Sequence, residues 1–447
     1  MDRDKTLLHN LLKGFNKQEG LDDLLRMTEH WDGYRRENAV IRLGMLGNPL
    51  AIPSIIVRAN DWVPQVRIAS KKAITLLQQP ENVSAFIISL PDLYHLQNCG
   101  RDNHDELISS IEDYISTVDG GVSLLKELNN ESLVVARCAF LILLKKKLLP
   151  ICDLVEKGIS HQDVIVRSKS SNYIRLLNPE QKKVALRAAI RDKFMPIRRE
   201  AFKIYLEDQP SEEFVKRFLY DRHSSIREIS IRFLLSIGFD VANEYIGNLS
   251  SCKVHTLRCS VWGLCYLGHK DAVDEIMSLT KSSYPSVRKQ AMVSMVSLKG
   301  EVYYDQIASY LADSSPSVCK EATRVITKHG IKLGSDDLIE ILSISEYCHT
   351  GSACLALLRR INKWEALMFL MRILGSPENK YGISREKLED SLSIWNREFN
   401  KTHSQPTARQ LETLKDLCFE TRFQLEENRY RSILFTLNTI GLKVVRT

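Results

Sequence analysis

At 447 residues the chain is longer than one hydrophobic core normally serves, so it holds two or three domains or an array of repeats. Apolar residues make up 44% and charged residues 26%, a balance that excludes disorder over most of the length. Lysine and arginine outnumber aspartate and glutamate by 62 to 55, a net charge of +7, which permits an acidic protein or a nucleic acid as partner and demands neither.

The first residues, MDRDKTLLHNLLKGF, carry two acids ahead of a short amphipathic run and do not read as a secretory signal. No stretch approaches the ~20 apolar residues of a membrane span; the longest candidate, Leu133 to Leu144, is interrupted by Arg137. Ten cysteines show no CxxC pair, and several, such as Cys138, Cys259 and Cys354, sit inside apolar helical runs. A reduced, cytoplasmic chain without membrane contact is the expectation.

An apolar residue followed by arginine recurs along the chain, each time opening a helix rich in small residues. It occurs at Val66-Arg67, Ala136-Arg137, Val166-Arg167, Ile197-Arg198, Ile226-Arg227, Leu257-Arg258 and Val287-Arg288, and Val318-Cys319 continues the series without the arginine. From Arg137 onward the step hardly varies, and a period of about 30 residues is that of a repeat array. Upstream, Arg36 lies one such step before Arg67. The gap from Arg67 to Arg137 is wider than two steps and leaves room for a degenerate unit, expected at Arg101. Downstream, Thr350 to Leu355 keeps the small-residue helix. Each unit carries two segments with apolar residues at three- and four-residue spacing, as in DKFMPIRREAFKIYLEDQ followed by SEEFVKRFLYD, and so reads as a hairpin of two amphipathic helices. One hairpin cannot bury both faces; a stack of them can.

The motif at the inter-helix turn, Asp, then Pro-x-(Val/Ile)-Arg-x-x-(Ala/Ser), resembles that of the short-form HEAT repeats, including the variant of phycobilisome-lyase-like proteins. Asp61/Pro64/Arg67/Ser70 carry it. Asp192/Pro196/Arg198/Ala201 do so with the proline shifted, Asp221/Arg227/Ser230 without it, Pro285/Arg288/Ala291 without the acid, and Asp313/Pro316/Ala322 without the arginine. The resemblance implies an all-α fold, a right-handed α-solenoid of about ten hairpins over residues 1–374, with Asp and Arg of successive units paired into a ladder. Proline suits a first helical turn, an acid before the helix meets its free amides, and Ala or Ser one turn on lets helices approach.

Three features stand out from this frame. Trp31 and Trp62 are one period apart and occupy equivalent positions, each five places before a repeat arginine. Packing of the first turns is the favoured reading and a partner-binding edge the alternative. Counting one and five places on from the repeat arginine, Lys72, Arg199, Lys203, Arg232, Lys289, Lys320 and Arg324 stand against Glu37, Asp102, Glu106 and Glu228. Since the second helix of HEAT-like solenoids lines the concave face, these residues would form either a basic inner groove or a solvated surface. Cys252, His255, Cys259 and Cys265 have the residue types of a zinc site, but buried reduced cysteines filling a core are the favoured reading. His161 and His223 read as solvated loop residues, and Gly120-Gly121 as a turn. Phosphate-binding, nucleophile-elbow, HExxH and dinucleotide motifs are missing.

After LGSPENKYG, 374–382, the period fails. Residues 375–447 read as two or three longer helices, a cap on the array or a partner-binding module, with SQPT at 404–407 as a helix start. The leading functional reading is a non-enzymatic interaction scaffold without a cofactor that binds another, possibly acidic, protein on its concave face and loops. Nucleic-acid binding along the basic residues is the alternative. Catalysis on a nucleobase, as in HEAT-like DNA glycosylases, or on a bilin finds no matching catalytic residues here.

Overall fold

The computed structural model describes residues 20–208, 210–376, 381–401 and 403–439, and every regular element among them is helical. The amphipathic run at the N-terminus lies outside the described residues. Two compact units divide the chain, Met1–Ser211 and Glu212–Thr447.

In the first unit the hairpins are α1 (Leu21–Met27) with α2 (Gly33–Leu46), and α3 (Ile52–Arg58) with α4 (Pro64–Leu77). Next come α5 (Val83–Ile88) and α6 (Leu90–His95) with α7 (Asp105–Val118), then α8 (Val122–Lys126) with α9 (Leu133–Lys145). The last two are α10 (Ile151–Ile159) with α11 (Val164–Ser171), and α12 (Pro179–Ala189) with α13 (Met195–Leu206). The extra helix α6 fills the long gap between Arg67 and Arg137.

The second unit runs through α14 (Glu212–Lys216) and α15 (Ser224–Ser236), α16 (Val241–Gly247) and α17 (Val254–Tyr266), α18 (Val273–Ser278) and α19 (Pro285–Lys299). It continues with α20 (Tyr304–Ser309) and α21 (Pro316–His329), α22 (Ser335–Ile344) and α23 (Cys348–Leu357). It closes with α24 (Lys363–Leu374) and α25 (Arg385–Glu398), then α26 (Ala408–Glu420) and α27 (Glu427–Asn438).

Stacking is layer on layer. Second helices pack on second helices, as α2 on α4, α17 on α19, and α19 on α21. First helices pack on first helices, as α10 on α12 and α22 on α24. The small residues one turn past the repeat arginine make this possible: Ser70, Ala201, Ser230, Ala291 and Ala322 are fully buried. The two serines also return a hydrogen bond to their own hairpin, Ser70 Oγ donating to the Ile55 carbonyl at 2.5 Å and Ser230 Oγ to that of Val215 at 2.9 Å. A continuous apolar core joins Leu24 to Val166 in the first unit, and another joins Met292 to Leu437 in the second.

Two expectations change here. Arg101 is not a repeat arginine: it precedes α7, and Ile108 takes the fourth helical position that Arg67 holds in α4. Nor are the last helices longer, since α25, α26 and α27 span 14, 13 and 12 residues. Stacking continues through α24 against α26 and α25 against α27. Thr407 does start α26, in a capping box with Gln410, but the run to Asn438 breaks after Glu420. Among the described residues no helix is long and apolar enough to cross a membrane.

Candidate functional site at the turn edge

Second helices begin with amides that lack helical partners, and along the repeats a side chain shortly ahead of the helix accepts from a turn amide. Asp61, Asp192, Asp221 and Asp313 accept from the backbone N–H two places on, at 2.7 to 2.9 Å. At the same place His30 and His161 accept through Nδ1 at 3.0 Å, Asn130 through Oδ1 at 2.8 Å, and Ser251, Ser282 and Ser345 through their hydroxyls. What recurs is an acceptor, of which aspartate is one form.

The expected ladder crosses between units from these turns. Arg36 makes a two-pronged pair with Asp61, Nε to Oδ2 at 2.9 Å and Nη2 to Oδ1 at 2.7 Å, with both residues buried. Arg288 meets Asp313 the same way at 2.8 and 2.7 Å, and Arg167 meets Asp192 at 2.6 Å. Arg137 reaches Asp163 at 2.6 Å. Arg67 stands 3.6 Å from Asp102, which also binds Lys71 at 2.9 Å. Asp102 is therefore a rung of the ladder and not, as its spacing from Arg101 implied, an acid facing the basic positions. Nη1 of Arg36, Arg67, Arg167, Arg198, Arg227 and Arg288 donates to the turn carbonyl six places back, so each arginine also fastens its own turn.

One rung is open. Ser251 stands where Arg227 would find a carboxylate, and the arginine, 8% exposed, keeps a buried Nε–H without a partner among the described residues. The Trp262 ring covers its guanidinium at 4.0 Å and stacks on Tyr266 in turn. In α17 Leu257 takes the arginine position and Arg258 falls one residue late. Ser251→Asp is expected to close the rung and raise the unfolding free energy by about 1 kcal/mol, measured by urea denaturation.

Trp31 and Trp62 do occupy equivalent positions: the backbone carbonyl of each accepts from the arginine five places on, at 3.0 and 3.4 Å. They do not pack the first turns. Trp31 is 80% exposed and Trp62 66%, and Tyr34, which no repeat signal marks, is 83% exposed. The two turns adjoin closely, for a Cβ on Gly33 would come within 2.9 Å of the Val63 side chain. Arg36 lies 5.3 Å from the Trp62 ring while its charge is held by Asp61. Beside Trp62 opens a cavity of about 210 Å³, walled by Val57, Arg58, Asn60, Asp61 and Arg101 among others. It is smaller than the ~300–1,000 Å³ of small-molecule sites and of a size to seat one anchoring side chain.

The basic positions are divided between the two units. Lys72, Arg199 and Lys203 belong to the first unit, and Arg232, Lys289, Lys320 and Arg324 to the second. Arg232 is 3.6 Å from Glu228 and Arg324 2.5 Å from Glu321, each on its own helix. Lys72, Lys203 and Lys320 are exposed, and Arg199 and Lys289 half-buried.

At the zinc-like cluster, His255 Nε2 lies 2.7 Å from the Tyr220 carbonyl and 3.7 Å from Cys259 Sγ, while Cys252 is exposed at the turn. Among the described residues no three metal-ligating side chains converge. Burial pushes the thiols of Cys138 and Cys319 up to about 11 and those of Cys354 and Cys418 to about 12, far from the thiolate a nucleophile needs. Nor are both histidines simply solvated. His161 bridges units of the stack, its Nε2 2.8 Å from the Leu128 carbonyl, whereas exposed His223 caps α15.

The ladder gives stability a pH dependence of definite sign. Burial alone would raise Asp61 and Asp163, but their arginines and turn amides outweigh it and hold both carboxyls below the ordinary range. Lys71 does the same for Asp102, and burial lowers His104. All four pKa values are depressed on folding, so each contribution is complete above the unfolded value and lost as pH falls. Melting temperature is expected to decline in two steps, shallowly below about pH 6.5 from His104 and steeply below about pH 4 from the aspartates. His104→Gln should remove the first step, read in thermal melts across pH.

Neither a family model nor a curated protein matches the sequence. Among solved structures, an engineered protein aligns over 94% of this chain and 98% of its own, at 13% identity and a TM-score of 0.19. The complex of CpcE and CpcF of phycocyanin lyase from Nostoc aligns over 86% and 97%, at 12% identity and a TM-score of 0.18. A mutant of Kap121p aligns over 96% of this chain and 46% of its own, at 13% identity and a TM-score of 0.23. At these scores the helical-repeat architecture rests on the stacked hairpins themselves.

Proposed function

We propose that the chain is a non-enzymatic interaction scaffold, of the short HEAT-repeat kind its turn motif resembles, that binds another protein across the turn edge of its first hairpins. The carrying observation is the exposure of Trp31, Tyr34 and Trp62 on two adjoining turns that the Arg36–Asp61 pair holds rigid. Clustered exposed aromatics mark contact sites, and tryptophan and tyrosine are the residues on which interface energy concentrates. The cavity beside Trp62 supplies a socket for a partner's anchor residue.

Photo-crosslinking tests this. Benzoylphenylalanine at position 31 or 62 should trap one discrete protein in the native host, and at Val302, 76% exposed, should not. Trp31→Ala with Trp62→Ala should weaken that complex by roughly 30-fold or more and leave the melting temperature unchanged. Identical products from all three positions, or none, would sink the reading.

The competing reading uses Lys72, Arg199, Lys203, Lys289 and Lys320 as phosphate contacts. It requires oligonucleotide affinity that falls steeply with salt. Arg232 and Arg324 each have an acid beside them on the same helix, and we expect no such binding even at low ionic strength.

A further inference from the structure

The second unit holds a larger cavity, of about 530 Å³, at the end of α23 and between α24 and α25. Its volume falls inside the ~300–1,000 Å³ of small-molecule sites. Two chemistries meet in it. The wall is apolar: Leu358, Leu370 and Trp395 come from the buried core, and Ile361, Ile394 and Phe399 complete it. The rim is cationic, with Arg359, Arg360, Lys363 and Lys401 against one acid, Glu398. Glu398 binds Lys401 at 3.0 Å and lies within the electrostatic reach of Arg359, while Arg359 and Arg360 are both exposed.

Lys363 shows how the site treats a charge. Its Nζ donates to the Phe399 carbonyl at 3.2 Å and lies 4.3 Å from the Phe399 ring and 4.9 Å from that of Trp364. The ammonium is thus half-buried among aromatic faces at the cavity wall, where burial lowers its pKa. Cations placed where water is partly excluded strengthen the pull on an incoming anion, and an adjoining apolar wall rewards a ligand whose remainder is hydrocarbon.

We propose that this cavity binds a small amphiphilic carboxylate, an acyl or aryl chain lying along Leu358, Leu370, Ile394 and Trp395 with its carboxylate among Arg359, Arg360 and Lys363. A neutral apolar molecule would make no use of the exposed Arg359 and Arg360 guanidiniums, and a polar anion such as phosphate would leave the wall without a partner. The site lies within the second unit and is independent of the aromatic edge in the first.

Calorimetric titration of the full chain with decanoate, decan-1-ol and inorganic phosphate tests it. Decanoate is expected to bind at one saturable site, about tenfold or more tighter than decanol, and phosphate not to saturate. Arg359→Gln with Arg360→Gln, both on exposed side chains, should cost decanoate about tenfold in affinity, leave decanol unchanged and preserve the melting temperature. Ser391→Trp, which fills the cavity from α25, should abolish both. The proposal is overturned by non-saturable decanoate binding, by equal affinity for decanol, or by decanoate affinity that survives the arginine substitutions.

Discussion

Asp61→Ala is expected to destabilise the first unit by about 3–5 kcal/mol. The substitution removes few atoms, but it leaves Arg36 with a full charge at 2% exposure and no counter-ion. It also strips the Val63 amide of its acceptor at 2.9 Å and Arg58 of a carboxylate at 3.3 Å. The penalty comes from the stranded guanidinium, since a buried ion pair taken whole roughly balances its own desolvation. Arg36→Met combined with Asp61→Leu should therefore recover much of the loss. Asp102→Ala, at a rung whose carboxylate side chain is 34% exposed, should cost no more than about 1 kcal/mol. Urea denaturation of the three variants orders them. An Asp61→Ala chain within about 1 kcal/mol of the parent, the size of an exposed pair, or a double variant as unstable as the single, would show that the ladder does not hold the turns as described.

The ladder also shows where sequence is legible and where it stops. Period, hairpin units and the Arg–Asp rungs were readable because the same side chains recur at nearly constant spacing, and spacing is what a helix transmits. Register failed at Arg101. An arginine happened to lie near the middle of the gap, while the residue at the equivalent position, Ile108, carries no arginine to mark it; only the contact of Asp102 with Arg67 across the stack identifies the rung. The turn acceptor was legible only as aspartate. Histidine, asparagine and serine meet the same amide with different atoms, and nothing in their pattern announces the common role.

Exposure was the least readable property. Whether Trp31 and Trp62 pack or project depends on which way two short turns face, and that is decided by the stacking and not by local spacing. Tyr34 could have been noticed, as an aromatic two places past an N-cap aspartate where the next unit has Gln65. The last hairpins carry Leu388 and Tyr430 at the helical position of the repeat arginine, so they showed no period although they stack like the rest. Their cavity is assembled from α23, α24, α25 and the segment after it, a convergence that no single stretch displays.

Trp364→Ala should be the most damaging single change in the second unit, at about 3–5 kcal/mol. Trp364 is fully buried and meets Trp395 and Phe399 edge to face, with ring centroids 6.3 and 5.5 Å apart. Its Nε1 donates to the Ser404 carbonyl at 3.0 Å, while Trp395 Nε1 donates back to the Lys363 carbonyl at 2.6 Å. The indole thereby ties the start of α24 to α25 and to the segment leading into α26. Removing it opens a cavity too large for these helices to close and orphans a carbonyl. Trp364→Phe keeps most of the apolar volume and loses the donor, so it should cost about 1–2 kcal/mol. Amide hydrogen exchange gives the sharper reading: in Trp364→Ala, protection should fall across α24 to α27 before it falls in α17 to α21, because Trp395, Phe399 and Ser404, which the indole meets, lie in the former. Uniform loss across the second unit would mean that its hairpins unfold as one cooperative block and that Trp364 is no local fastening.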